Sequence, residues 1–420
     1  MVRILSARNQ SLQTARLLPP LAAVALLVGL VLPTVLPEAA NVSFFVVAGL
    51  AILLLARSTA WGSMLRRPGI AMPLLGGAIL TVCFAITARE PSHVLTVAYF
   101  MPLFLAAPLA GLFARVPGLM TPQAIGLAAT AGAAGAAAVA LFDALVLGLP
   151  RAGVSVNNPI HFADLALTLG FVALVGVYSD RRWVRLLVIA APACAFVAVL
   201  LSGSRGPTVA FVPMLTVALL VLLAHEGWGR GKWLTLVVAA VVGLALAVLA
   251  WKLGAFAEVT AFADIIKVLR SETVDGSTAK RLVMYWGAFE AFLSSPVFGH
   301  GLVDLTEAVA RHVPPDAPFE SPPHMHNDIA DFAVVGGTLG LFAYGLFLLA
   351  PLAEAISAGR PRPWPAIYLA SVLCVGYLSM GMTNAMLGIL SQTVLYGFCL
   401  ALVVHLASPH AAAAKVEPAR

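Results

Sequence analysis

Apolar residues come along this chain in unbroken runs of roughly twenty, and polar residues are confined to the short stretches between them. A hydrocarbon core about 30 Å thick is crossed by about 20 residues of α-helix. The runs therefore predict membrane spans at 17–36, 42–56, 70–87, 94–114, 122–148, 160–178, 183–201, 207–224, 233–253, 327–353, 364–382 and 385–406, about twelve in all. One long polar segment, 254–326, interrupts the rhythm. It contains two stretches of amphipathic spacing, Phe256–Arg270 and Thr278–Ser294, followed by a tract rich in proline from Pro314 to Pro323. Prolines disfavour helix interiors, so this tract predicts an extended approach to His326. The resulting organisation has three parts: nine spans in 1–253, a loop over 254–326, and three spans with a short tail in 327–420.

Composition sharpens the class. Of the 420 residues 61% are hydrophobic and only 10% charged, where a soluble chain carries about 25% charged residues. Mean hydropathy is +0.96. The reading is an all-α, polytopic integral membrane protein. Cys83, Cys194, Cys374 and Cys399 all lie in apolar runs, which predicts neither a disulfide framework nor a zinc motif. The net charge of +6 is explained by loop arginines, with no need for nucleic acid. The basic stretch Met1–Arg16 precedes the first run as in a signal peptide, but the length of that run predicts a retained span.

Charge also orients the chain. With the N-terminus inside, the cytoplasmic stretches hold Arg3, Arg8, Arg16, Arg57, Arg66, Arg67, Arg115, Arg181, Arg182, Arg185, Arg230, Lys232, Arg360, Arg362, Lys415 and Arg420, most of the 25 basic residues. Five of the others, Lys267, Arg270, Lys280, Arg281 and Arg311, lie in the long loop, where the positive-inside rule does not count them. Both termini are thus expected inside and the long loop outside. In the fifth span, the small-residue run from Gly126 to Gly135 suits close helix contact in lipid, or is plain alanine-rich composition.

Ionisable groups expected at the outer face are Arg89, Asp143, Arg151, His161, Asp164, Arg205, Arg281, His326, Asp328 and Asp331. Such groups beside spans are costly and become candidates for function. Arg205 sits in the short turn Ser202-Gly203-Ser204-Arg205-Gly206, where a snorkelling arginine is the competing reading. Arg281, in Lys280-Arg281-Leu282-Val283-Met284-Tyr285-Trp286, fits the polar face of a loop helix equally well. His326 in Pro323-His324-Met325-His326-Asn327-Asp328 could be a general base, an interfacial structural histidine, or a metal ligand with His312 and His324. Asp328 or Asp331 could orient it or act in its place. Gly337 and Gly340 follow, and a continuous helix would set Gly337 about three turns beyond His326 on the same side.

No Asp-x-Asp pair lies on the outer side and no Walker glycine loop is present, which predicts neither a Mg²⁺-held nucleotide-sugar nor an ATP site. An outward-facing enzyme would then need a donor already activated in the membrane, such as a polyprenyl-diphosphate-linked sugar. Arginines could neutralise its leaving group in place of a metal. A transporter of lipid-linked glycans is the alternative. It would be expected to show repeat symmetry and ionisable groups near the midplane.

The chain resembles the bacterial O-antigen ligase and O-antigen polymerase superfamily. His326-Asn327 followed by Gly337-Thr338-Leu339-Gly340 looks like that family's histidine signature, with Val335 where a glutamate is often found. Arg281 followed by Trp286, Ala288, Pro296, Gly299 and Gly301 looks like its loop pattern, and Ser204-Arg205-Gly206 like its intramembrane arginine motif. A fainter similarity runs through Arg151, Gly153, Pro159 and Phe162. The resemblance implies a fold like that of C-type glycosyltransferases in the bacterial inner membrane, and an inverting, metal-independent reaction at the periplasmic face. It implies no cofactor. The donor would be a polysaccharide on undecaprenyl diphosphate and the acceptor lipid A-core. His326, Arg205 and Arg281 are the implied catalytic residues. Arg205, Arg281, Asn327, Arg151, His161 and Asp328 are the implied substrate-binding set. Polymerase and protein O-oligosaccharyltransferase activities belong to the same superfamily. The absence of a further periplasmic domain to take a protein acceptor disfavours the last.

Overall fold

In a computed structural model, residues 16–56, 58, 61–226, 276–315, 319, 321–359 and 362–408 are described. Ten helices in them are long and apolar enough to cross a bilayer: α1 (Arg16–Thr34), α2 (Pro37–Leu55), α3 (Pro68–Thr87), α4 (Pro91–Phe113), α5 (Pro122–Leu145), α6 (Pro159–Gly176), α7 (Arg182–Ser202), α8 (Arg205–Glu226), α11 (Asp328–Ser357) and α12 (Trp364–Gly381). Between α8 and α11 lie α9 (Gly276–Ser294) and the short α10 (Leu305–Ala310). The last helix, α13 (Leu390–Leu406), has 17 residues, about 26 Å of rise. The protein is an all-helical polytopic membrane protein, with no strand among the described residues. Eleven of the expected spans have a helix in place; the expected span at 233–253 and the amphipathic stretch Phe256–Arg270 lie outside the described residues. The second amphipathic stretch is α9.

Local sequence explains the helix starts. Pro37, Pro68, Pro91, Pro122 and Pro159 each open a span, where the missing N–H removes no intrahelical bond. Thr121 and Asn158 add side-chain caps, accepting from Ala124 N at 3.2 Å and Ile160 N at 2.9 Å.

Burial sorts the helices into an inner and an outer set. Every residue of α13 from Ser391 to Leu406 is buried, as is α6 from Phe162 to Ala173. Lipid-type surface lies outside them, with Leu53 72% and Leu145 78% exposed. Buried tyrosines tie the inner helices together through spare carbonyls: Tyr396 donates to Phe347 O at 2.9 Å, Tyr377 to Gln392 O at 2.7 Å, and Tyr368 to Phe171 O at 2.8 Å. The small residues of α5 do bring backbones together. A Cβ on Gly132 would stand 2.0 Å from Leu30 O, and one on Gly126 would stand 2.7 Å from Ala173 O. Thr34 Oγ1 donates to the Gly132 carbonyl at 2.8 Å across this contact.

One expectation is corrected. The stretch from Asp328 to Ser357 is two helices joined at a kink at Gly337, whose φ of 62° and ψ of −146° are non-helical. Phe332 consequently packs on Tyr344, with ring centroids 5.1 Å apart, where twelve residues of straight helix would separate them by about 18 Å. His326 and Gly337 do not share a face of one helix. The apolar pattern runs on through Gly337, so periodicity carried no mark of the break. Its cause is a strap of loop, residues 295–301, laid against residues 334–339. His300 N and Gly301 N donate to Val334 O and Val335 O at 2.8 and 3.0 Å, and Thr338 N and Leu339 N to Pro296 O and Val297 O at 2.8 and 3.3 Å. A Cβ on Gly337 would lie 2.5 Å from Val297 C, and one on Gly299 would lie 2.5 Å from Gly336 N. Glycine at both positions is what allows main chain to meet main chain.

Candidate functional site

The helices α6, α8, α11 and α13 begin at the end of the bundle where α5, α7 and α12 finish, and the loops between them converge there. At the opposite end Arg67 pairs with buried Glu354, which also accepts from Gly69 N at 2.9 Å.

His326 stands at the centre of the first end. Its φ is 54°, a left-handed conformation uncommon for a residue with a side chain and often found at functional sites. Both neighbours are anchored. Met325 N donates to Asp331 Oδ1 at 2.7 Å. Asn327 caps α11, its Oδ1 accepting from Ile329 N and Ala330 N at 2.9 and 3.2 Å. The imidazole Nδ1 lies 3.5 Å from Asn384 Oδ1, and Asn384 Nδ2 donates to Asp164 Oδ2 at 2.9 Å. The His324 ring stands edge-on to it with centroids 4.4 Å apart. Tyr285 OH donates to the His326 carbonyl at 3.4 Å.

The electrostatics favour a neutral imidazole. Burial is the largest influence on His326 and lowers its pKa from 6.5; the contact with Asn384 opposes this, and the Arg281 charge lowers it further. Burial, then His326 and His161, bring His324 down to about 4. Burial pushes Tyr285 up against the pull of Arg281. Arg281 and His161 are thus both within electrostatic reach of the histidine pair.

The carboxylates beside His326 face the main chain. Asp328 Oδ1 accepts from Met386 N at 2.7 Å and Oδ2 from Leu387 N at 3.4 Å, which holds the loop 382–389 against the start of α11. Asn327 Nδ2 adds a contact with Met382 O at 3.3 Å. Asp331 holds Met325. These three groups shape the loops that carry His326 and Asn384.

Arg205 lies on the adjoining turn, and Arg151 reaches that turn from the loop between α5 and α6. Gly203, φ 62°, ends α7, and α8 starts at Arg205. Arg151 Nε donates to Ser202 O at 2.8 Å and Nη2 to Ser204 Oγ at 3.1 Å, while Ser204 Oγ donates to Pro159 O at 3.2 Å. One guanidinium therefore clamps the turn that presents Arg205. Asp143 supports the clamp from below, accepting from Gly153 N at 2.7 Å. The turn also touches the His326 cluster: a Cβ on Gly206 would stand 2.2 Å from Thr383 Oγ1, next to Asn384. Arg89 is set apart, paired with Asp304 at 3.2 Å and Glu307 at 3.4 Å. Among the described residues no three His, Cys, Asp or Glu side chains are placed to hold a metal ion.

His326, His161, Arg281, Asn327 and Asp328 thus come together, with Arg205 on the contiguous turn and Arg151 clamping it. Asn384, Gln392 and Tyr285 are the additions that sequence reasoning missed. Gln392 Nε2 donates to His161 O at 2.9 Å. A lone amide in the short loop 382–389 has no spacing that marks it. The only available signal was a polar residue between two spans.

A family model described as O-antigen ligase matches residues 190–345, a segment that contains Arg205, Arg281 and His326. The search of curated proteins found no match.

Proposed function

We propose that this chain, whose residues 190–345 match a family model described as O-antigen ligase, is an inverting, metal-independent glycosyltransferase of the ligase type. It would move a polysaccharide from undecaprenyl diphosphate to lipid A-core at the periplasmic face of the inner membrane. The observation that carries this reading is the convergence of a half-buried His326, whose pKa burial lowers, with Arg281 and the Arg205 turn at one end of the bundle. His326 accepts the proton of the acceptor hydroxyl as its oxygen attacks the anomeric carbon. The bond from that carbon to the phosphate oxygen breaks on the opposite face, and its electron pair leaves with the diphosphate. Arg205 and Arg281 neutralise the charge that develops there. His161 lines the acceptor side, and Arg151 serves by holding Arg205 in place.

The three-part division at 253 and 326 suits this chemistry: the outer loop brings Arg281 to the histidine on the membrane domain. The test is the glycolipid profile of a deletion strain complemented with wild type or His326→Ala. A ligase predicts loss of the lipopolysaccharide ladder, accumulation of long lipid-linked polymer, and rescue by wild type alone. Single repeat units on lipid A-core without any long polymer would make the protein a polymerase. An unchanged profile, or rescue by His326→Ala, would remove the assignment.

A further inference from the structure

Behind His326 a short polar chain runs into the buried interior, from Asn384 to Asp164. Asn384 is 1% exposed and Asp164 fully buried on α6. Neither lies in the segment 190–345 that the family model matches. A carboxyl group at such a position is expensive, and the second oxygen, Oδ1, has no hydrogen-bond partner among the described side chains. The contact Asp164 does make sets a direction. Asp164 Oδ2 accepts from the Asn384 NH₂ at 2.9 Å, which it can do as a carboxylate or with a proton on Oδ1, and the amide oxygen is left pointing at His326 Nδ1. An oxygen there asks for N–H on that nitrogen. The 3.5 Å separation is at the long limit of a hydrogen bond, and catalytic contacts of this kind shorten when substrate is bound.

We propose that Asn384, oriented by Asp164, is a positioning residue that fixes His326 in the tautomer with hydrogen on Nδ1 and the lone pair on Nε2. Its use in catalysis rests on His326 being the base, as argued above; the tautomer itself does not. When Nε2 takes the acceptor proton, the imidazolium keeps its Nδ1–H toward the amide oxygen, so the charge forms against a dipole already in place. The groups facing His326 are His324 from its own loop, His161 from α6, and Arg281 and Tyr285 from α9. Asp328 and Asp331 on α11 hold main-chain N–H groups nearby. Among the described residues it is Asn384 that presents an acceptor to Nδ1.

The experiment is ¹⁵N NMR of imidazole-labelled full-length protein in lipid nanodiscs at about pH 7.5, with the His326 signals assigned by their loss in His326→Gln, alongside transfer kinetics. Wild type is expected to show a protonated Nδ1 and an unprotonated Nε2. Asn384→Leu should abolish that pattern and lower kcat by roughly 10- to 100-fold with the donor KM little changed. The exchanged pair Asn384→Asp with Asp164→Asn keeps both an acceptor for Nδ1 and a donor to that acceptor, and should recover the Nδ1–H signature and most of kcat. A wild-type Nε2–H tautomer would overturn the proposal, as would Asn384→Leu with unaltered spectra. Retained transfer by His326→Gln, with the Nδ1–H tautomer intact in wild type, would instead overturn the base assignment and leave the positioning contact standing.

Discussion

The carboxylate of Asp328 at the head of α11 accepts the main-chain N–H of Met386 at 2.7 Å, across the gap between two spans. This bond and the weaker one to Leu387 N fasten the loop that carries Asn384 to the helix whose cap follows His326. Asp328→Ala leaves buried donors unpaired, at about 1–3 kcal/mol each. Expected outcomes are a lower Tm in detergent and a loss of transfer. Asp328→Asn retains one acceptor oxygen and should fall between that variant and wild type in both measurements.

Gly337→Ala should be among the most damaging single-methyl changes in the chain. Its φ and ψ, 62° and −146°, fall where side chains are strained by about 1–3 kcal/mol. The new methyl would also lie 2.5 Å from Val297 C and push the strap away. Reduced folded yield and faster proteolysis of the 295–301 segment are the readouts. Gly345→Ala, with nothing within 4 Å of the added methyl, is the control and should behave as wild type.

Arg151→Ala should lower transfer by loosening the Ser202–Ser204 turn and misdirecting Arg205, with only a modest change in Tm. Arg151→Lys should not restore it. A single ammonium lacks the planar fork that reaches Ser202 O and Ser204 Oγ together. Full activity of the lysine variant would show that the clamp does not matter to Arg205.

The pH dependence of transfer should carry an acid limb below the ordinary histidine value, because burial and the Arg281 charge lower the pKa of His326. Under the proposed mechanism, activity is lost as pH falls through that pKa and His326 becomes protonated. Arg281→Gln removes a neighbouring positive charge, so its residual activity should fail at a higher pH than in wild type. A limb that stays in place would separate Arg281 from the base.

Stability should fall as the pH is lowered from about 6.5 toward 4, in part through His324. Its imidazole titrates near 6.5 when unfolded and at about 4 in the folded protein. Between those values the unfolded chain binds more protons, so acid favours unfolding. Thermal unfolding across this window should be flatter for His324→Gln.

The spans were legible because hydropathy at this density leaves little alternative. The grouping of Arg281 with His326 came from the family resemblance, because the local sequence fits the polar face of a loop helix equally well. The kink at Gly337 was not legible, because Val334-Val335-Gly336-Gly337-Thr338-Leu339 reads as uninterrupted apolar helix and the partner that bends it is forty residues earlier. Asn327, Asp328 and Asp331 stood out as polar groups beside a histidine. That their oxygens would face main-chain N–H groups depended on loops folding back from 325 and 386, which no local pattern announces. Asn384 was invisible for the same reason.

The hydrogen bonds between 295–301 and 334–339 run from main chain to main chain, and this bears on how the protein can change over generations. Val335 receives Gly301 N on its carbonyl, so the hydrogen bond itself makes no demand on the side chain, while burial at 3% exposure keeps that side chain apolar. Another apolar residue there would keep the same bond. Freedom of that kind ends at Gly299 and Gly337, whose missing Cβ atoms make room for the opposing chain. The joint between residues 295–301 and 334–339 can therefore accept substitution at its other positions, while two unsubstituted α-carbons hold its geometry fixed.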